Sequence, residues 1–288
     1  MLHSLMSADR LDLSDRSATM SVAQPVLVCL LGGFRVVKAG ETMLLPPESK
    51  LGVLLRHLAL AGDHGVPRQE LLGLLWPDPD DAMIARCFNT LVTELRRLLR
   101  DDASGRQAVV NMDGCYRLER DAGLAVDVDC FDRSYEAGHA ADAAGDACVA
   151  RGAYEQALQL YRGDLFLGRD GADDNWLFVE RERLRSRCMT ILARVADLSG
   201  GMNDLDAAMA HAARLLRMDP CSEVGHRLLM HLHMLGGQRA QALHQYRVCV
   251  EALRREYGAS PESSTTAFFD LLRGGSWTAA GGSGLIGS

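Results

Sequence analysis

The apolar residues of this 288-residue chain keep two different periods in succession, and that change constrains the fold more than any single motif. Between residues 26 and 119, short runs of alternating or continuous apolar residues are interleaved with helical ones; from 123 to about 273 the spacing is helical throughout. A period near two suits a half-buried strand, and one near 3.6 suits an amphipathic helix. The expectation is a small α+β unit at 24–122 and an all-α unit at 123–273, preceded by a disordered stretch at 1–23 and followed by a flexible tail at 274–288.

In the first unit, "VLVCLLGGFRVV" and "TMLL" read as strands over 26–45, stopped by Pro46 and Pro47. Leu51, Leu54, Leu55 and Leu58 share one helical face over 48–61, and "RQELLGLLW" predicts a second helix over 68–76. A third helix spans about 82–100, and "AVVNM", Asp113-Gly114 and "CYRLE" form a hairpin. Strands, three helices and a closing hairpin, in that order, make a winged helix-turn-helix.

The third helix carries the functional signal. On a wheel of about 100° per residue, Thr90, Thr93, Arg97 and Arg100 fall within about 40° of Arg86, with Asn89 and Arg96 at the edges. Ile84, Phe88, Leu91, Val92, Leu95, Leu98 and Leu99 form the opposite, apolar stripe. Over 84–100 there are four arginines and a single acid, Glu94, so pairing within the helix does not account for them. Arginine forks onto guanine or binds phosphate, asparagine pairs with adenine, and threonine contacts a thymine methyl or a phosphate. The molecule as a whole carries a formal charge of −7, which disfavours indiscriminate binding to nucleic acid and leaves room for one local cationic face.

In the second unit, "GAYEQAL" (152–158), "NDLDAAM" (203–209) and "GQRAQAL" (237–243) resemble one another, and the last two begin 34 residues apart, the tetratricopeptide period. A TPR-like helical-repeat unit is expected, with the first repeat displaced by an insertion.

Other features carry less. The eight cysteines are scattered without a C-x-x-C pair, so reduced thiols are expected and no metal or other cofactor is implied. His226, His231 and His233 lack a metal-ligand spacing, and no phosphate-binding glycine loop is present. Trp76 reads as a core residue, "VERERLR" (179–185) as a solvated helix face, and Asp127 and Asp129 as part of an extended segment without a catalytic partner. No apolar run reaches the roughly 18 residues of a membrane span. A cytoplasmic, nucleoid-associated protein with no membrane contact is expected.

The motifs "LLGGFRVV", "LLWPD", "FNTLVTELRRLL" and "DGCYRLE" resemble the OmpR/PhoB-type winged helix. "VDVDCFDRSYEA", "ALQLYRGDLFLG", "NWLFVERERLR" and "LRREYGASP" resemble the bacterial transcriptional activator domain. Together they resemble the SARP/BTAD family of activators over about 26–273. The resemblance implies that the third helix enters the major groove of double-stranded promoter DNA, with Arg86, Asn89, Thr90, Thr93 and Arg97 facing the groove and Arg117 as a wing contact. Arg96 and Arg100 complete the expected DNA-binding set. It also implies that the helical unit pairs protomers into a homodimer or contacts RNA polymerase. Two residues depart from the family pattern: Glu94 replaces a basic residue, and Cys115 replaces a wing glycine. The reading is a non-enzymatic transcription activator; the alternative is a TPR-type interaction adaptor without specific DNA binding.

Overall fold

The computed structural model describes residues 26–76, 81–100, 107–166 and 175–275. The expectations for 1–23 and for the tail beyond 275 lie outside the described residues, as does the acidic "DPD" before the third helix.

A small sheet region comes first and a mostly helical region follows. Strands β1 (Val26–Cys29), β2 (Arg35–Lys38) and β3 (Glu41–Met43) form an antiparallel meander. Helices α1 (Lys50–Leu60), α2 (Arg68–Leu75) and α3 (Asp81–Leu99) follow, with a two-residue strand β4 (Val66–Pro67) before α2. The hairpin β5 (Val109–Met112) and β6 (Cys115–Leu118) pairs with β4 in a second sheet of order β4-β6-β5. Ser49 caps α1 through its hydroxyl, which accepts from the Gly52 N–H at 3.1 Å.

The next strand departs from the sequence reading. β7 (Leu124–Val126) lies beyond the expected boundary at 122, yet it runs parallel to β1 and completes the sheet order β3-β2-β1-β7. The extended segment stops there. Asp127 and Asp129 stand in the first turn of α4 (Asp127–Ala143), where their charge suits the helix dipole, and are not part of an extended run.

Asp127 ties the two regions together. Its carboxylate is 2% exposed and accepts the Leu30 and Leu31 N–H groups, each at 2.9 Å. These are the donors left over where β1 ends. The chain returns to the same place at 162–166: the Gly32 N–H donates to Asp164 O at 3.0 Å and the Phe166 N–H to Leu30 O at 2.8 Å. The approach is close enough to require glycine. A Cβ on Gly32, which has φ +80°, would stand 2.7 Å from the Arg162 carbonyl carbon. One continuous core runs from Val26 through Phe131 and Tyr161 to Leu232.

The helical region stacks α4 on α5 (Ala147–Leu160), α6 (Asn175–Gly201) on α7 (Leu205–Met218), and α8 (Glu223–Leu235) on α9 (Arg239–Tyr257), and α10 (Ser263–Gly274) closes the end. The 34-residue period is structural. Asp204 and Gln238 cap the second helices of their pairs, each preceded by a left-handed residue, Asn203 (φ 62°) or Gly237 (φ 71°). The matching point of the first pair is Asp146, preceded by Gly145 (φ 78°), so "GAYEQAL" sits inside α5, seven residues past the true repeat start. Four residues after each cap stands a fully buried alanine, Ala150, Ala208 or Ala242, which lets neighbouring helices approach. All three turns close the same way: the cap N–H donates to the carbonyl five residues back, Ala141, Ser199 and His233, at 2.9, 2.9 and 2.7 Å.

Burial pushes the Asp127 carboxyl up to about 6, against the lowering effect of its backbone donors and Arg35. Its folded pKa therefore lies above the roughly 3.9 of an unfolded aspartate, so its titration favours folding below about pH 4 and that contribution is lost as pH rises through 6. Asp127→Ala is expected to cost about 2–4 kcal/mol at pH 7, because it orphans two buried N–H groups, and to flatten the decline between pH 4 and 6. Urea unfolding of both proteins between pH 4 and 7 measures both effects; a destabilisation by Asp127→Ala of less than about 1 kcal/mol at pH 7 would refute the pin.

Candidate nucleic-acid interface

The position of α3 is set by its apolar stripe. Phe88, Val92, Leu95 and Leu99 are buried, and Ile84, Leu91 and Leu98 are half-buried, as their spacing predicts. Phe88 meets the Tyr116 ring edge-on, with centroids 5.2 Å apart, and the Arg68 guanidinium lies 5.4 Å from its centroid. Arg68 begins α2, and its own N–H donates to Gly114 O at 3.0 Å. The second helix, the third helix and the hairpin therefore converge on one aromatic contact. Sequence reasoning missed Arg68 and Tyr116; the signal was their place, Arg68 at the start of a helix and Tyr116 at an inward position of the hairpin.

The opposite face of α3 points to solvent. Arg86, Asn89, Thr90, Thr93, Arg97 and Arg100 are all exposed along it. Thr90 and Thr93 donate their hydroxyls to the Arg86 and Asn89 carbonyls at 3.0 and 2.8 Å, which restricts their rotamers. Among the described residues, no carboxylate lies within ion-pair distance of Arg86 or Arg97.

Two residues of the expected set are placed differently. Arg96 is half-buried, and its Nε donates to Val109 O at 2.9 Å, which ties α3 to β5. Arg117 is half-buried on β6 and reaches Glu119 at 3.4 Å. The hairpin tip presents Asn111, Met112 and Asp113 instead, with Met112 55% exposed. Asp113 (φ 52°) and Gly114 (φ 83°) make a tight turn with two left-handed residues, and Asn111 Oδ1 accepts from the Gly114 N–H at 3.1 Å. Cys115 falls outside the turn, as the first residue of β6, so a side chain there leaves the turn undisturbed.

The remaining candidates have structural partners. His226 is buried, with its ring nitrogens bonded to Pro220 O and the Gln245 amide at 3.0 and 2.7 Å. Among the described residues no cluster of His, Cys, Asp or Glu is arranged to hold a metal, and no helix is long and apolar enough to cross a membrane. Trp76 is half-buried against the core, with Lys50 Nζ 4.1 Å above its ring. The arginines of "VERERLR" are inter-element ties, not a free surface: Arg183 reaches Asp132 at 2.8 Å, and Arg185 reaches Asp164 at 3.1 Å and Met218 O at 2.6 Å.

Comparison with known proteins bears on the family and the overall fold. The chain is 26% identical over 233 residues to Regulatory protein AfsR of Streptomyces coelicolor, covering 81% of this chain and 22% of AfsR, so it spans about a fifth of that relative's length. It is 25% identical over 229 residues to Transcriptional regulatory protein MoaR1 of Mycobacterium bovis, covering 77% of this chain and 71% of MoaR1. The solved structure of Mycobacterium tuberculosis EmbR in complex with a low affinity phosphopeptide superposes with a TM-score of 0.73 at 20% identity, over 91% of this chain and 68% of EmbR, which establishes a shared fold. The family profile described as Bacterial transcriptional activator domain matches residues 126–273, just over half of the chain, from the last residue of β7 into the last turn of α10. The chain belongs to the bacterial transcriptional activator domain family, within the SARP-type regulators.

Proposed function

We propose that this chain is a non-enzymatic, sequence-specific regulator of transcription, an activator that docks on double-stranded promoter DNA. On this reading residues 24–122 are a winged helix-turn-helix with α3 as the recognition helix, and residues 123–273 pair protomers or contact RNA polymerase. The protein then works in the cytoplasm, at the nucleoid. One observation carries the reading: α3 turns Arg86, Asn89, Thr90, Thr93 and Arg97 outward while Phe88 and Arg96 lock its other side to the hairpin. A helix held this way presents base-reading and phosphate-binding groups with little further ordering to do on contact.

Arg100 extends the same face toward backbone phosphates. Arg96 supports the helix from behind, and Arg117 supports the hairpin whose tip, Asn111 to Asp113, lies beside the duplex. The regulatory names of AfsR and MoaR1 support a role in transcription regulation, and the description of the matched domain supports activation.

Selection of bound DNA from a random pool, followed by footprinting, defines the site. On the selected duplex, Arg97→Ala is expected to weaken binding about 5- to 100-fold, the range of one lost bidentate or charged contact, with an unchanged circular-dichroism spectrum. Equal affinity of wild type and variant in a fluorescence-anisotropy titration would exclude Arg97 from the interface. Phe88→Ala separates scaffold from contact: it removes a fully buried ring and is expected to cost about 3–5 kcal/mol in urea unfolding. A loss of binding by Phe88→Ala with no loss of stability contradicts the seating role.

A further inference from the structure

The cationic face of α3 does not end on α3. Near the C-terminal end of that helix a cleft of about 430 Å³ opens between α3, the start of α1 and the β2–β3 hairpin. It is lined by Lys38, Met43, Leu51, Glu94, Arg97 and Leu98. Lys38 is the last residue of β2, and the tight turn after it, Ala39 (φ 50°) and Gly40 (φ 84°), fixes where its side chain leaves the hairpin. Pairing of Lys38 with Glu41 in the β2–β3 ladder fixes its register as well. Among the described residues neither Lys38 nor Arg97 is held by a salt bridge, although Glu94 lies in the same cleft. The chain has only two lysines, so a lysine at this spot departs from its general use of arginine.

Resting on the DNA-binding reading above, we propose that the Lys38–Glu94–Arg97 cleft is a phosphodiester seat. Lys38 brings the N-terminal sheet onto the DNA backbone beside the segment that α3 reads. A lysine ammonium is a compact point charge suited to a phosphate and indifferent to base identity. Glu94 lines the same cleft as the two cations and acts as a brake: its carboxylate repels the incoming phosphate and lowers the affinity for any duplex, so that binding depends on the base contacts made further along α3.

The two charges predict opposite effects in one experiment. The full chain, Lys38→Ala, Lys38→Arg and Glu94→Gln are titrated by fluorescence anisotropy at a series of salt concentrations, against the selected duplex and a scrambled duplex. Lys38→Ala is expected to weaken both complexes about three- to tenfold and to lower the slope of log K against log salt by about 0.9, the loss of one phosphate contact. Lys38→Arg restores the slope. Glu94→Gln tightens both complexes, and the scrambled one by the larger factor. If Lys38→Ala keeps the wild-type slope, or Glu94→Gln weakens binding, the cleft is not a phosphate seat. A wild type that binds no duplex removes the DNA-binding reading itself, whereas a wild type and Arg97→Ala that differ as described, beside an unaltered Lys38→Ala, overturn this inference alone.

Discussion

The buried carboxylate of Asp127 is the contact on which the architecture turns. A strand that ends inside a protein leaves N–H groups that must be bonded, and an unpaired one costs about as much as a lost hydrogen bond. At the end of β1 those groups belong to Leu30 and Leu31, and the acceptor comes from the first turn of α4, 96 residues beyond Leu31. The arrangement has two consequences. The sheet is complete only when β7, from the far side of the expected boundary, lies beside β1. The helical region is therefore fastened to the sheet region by backbone bonds, and the segment 162–166 adds a second fastening at Gly32 and Phe166. One continuous core joins the helical region to α3, and the residues that connect the two regions, 119–127, are all described and tied into the sheet or α4.

The same logic of fixed ends and free faces applies to α3. Its inner side is tied at two heights, by Phe88 on Tyr116 and by Arg96 on Val109. Two arginines adjacent in sequence thus have different duties. Arg96 is half-buried and bonded to backbone, while Arg97, one residue on and about 100° around the helix, is exposed. Wheel geometry placed Arg96 at the edge of the polar face, and edge positions are where a long side chain can reach either solvent or a neighbouring strand. The strand that decides between them is 13 residues away and its distance is not written in the helix.

What was legible in the sequence was what periodicity and turn chemistry encode. The helices α1, α2 and α3, the Asp113-Gly114 turn and the stripe from Ile84 to Leu99 lie within a residue or two of their expected places. The 34-residue spacing was real as well, but its first copy was misplaced. The pattern sought was a small or polar opener ahead of an alanine and a large apolar residue, and "GAYEQAL" satisfies it in the middle of α5. The physical repeat is different: a left-handed residue, a cap, and a buried alanine four residues after the cap. Gly145 is left-handed and is followed by the capping Asp146, whereas Gly152 lies inside α5 and is followed by Ala153, a difference that the opener pattern did not weigh. β7 was missed because three residues, Leu124 to Val126, are too few to display alternation, and their partner strand lies almost a hundred residues upstream.

Charge placement gives the argument for an outward role its weight. Arginine is the general-purpose cation of this chain, so its presence on a helix means little until its partners are known. Along α6 the arginines are neutralised across elements: Arg183 and Arg187 share Asp132, Arg185 takes Asp164, and Arg194 bridges Asp142 and Asp197. Arg151 on α5 bridges Glu155 and Asp204 in the same way. Those pairs join helices whose faces would otherwise repel, and they hold their donors in one geometry. On α9 the exposed Arg247, Arg254 and Arg255 are interleaved with Glu251 and Glu256 in sequence. On α3, Arg86 and Arg97 have no cross-element partner among the described residues and no acid between them in sequence except Glu94, in a molecule whose formal charge is −7. Two exposed cations without an ion-pair partner among the described residues, on one face of a helix in an anionic protein, are the charges on which the proposed contact with an anion rests.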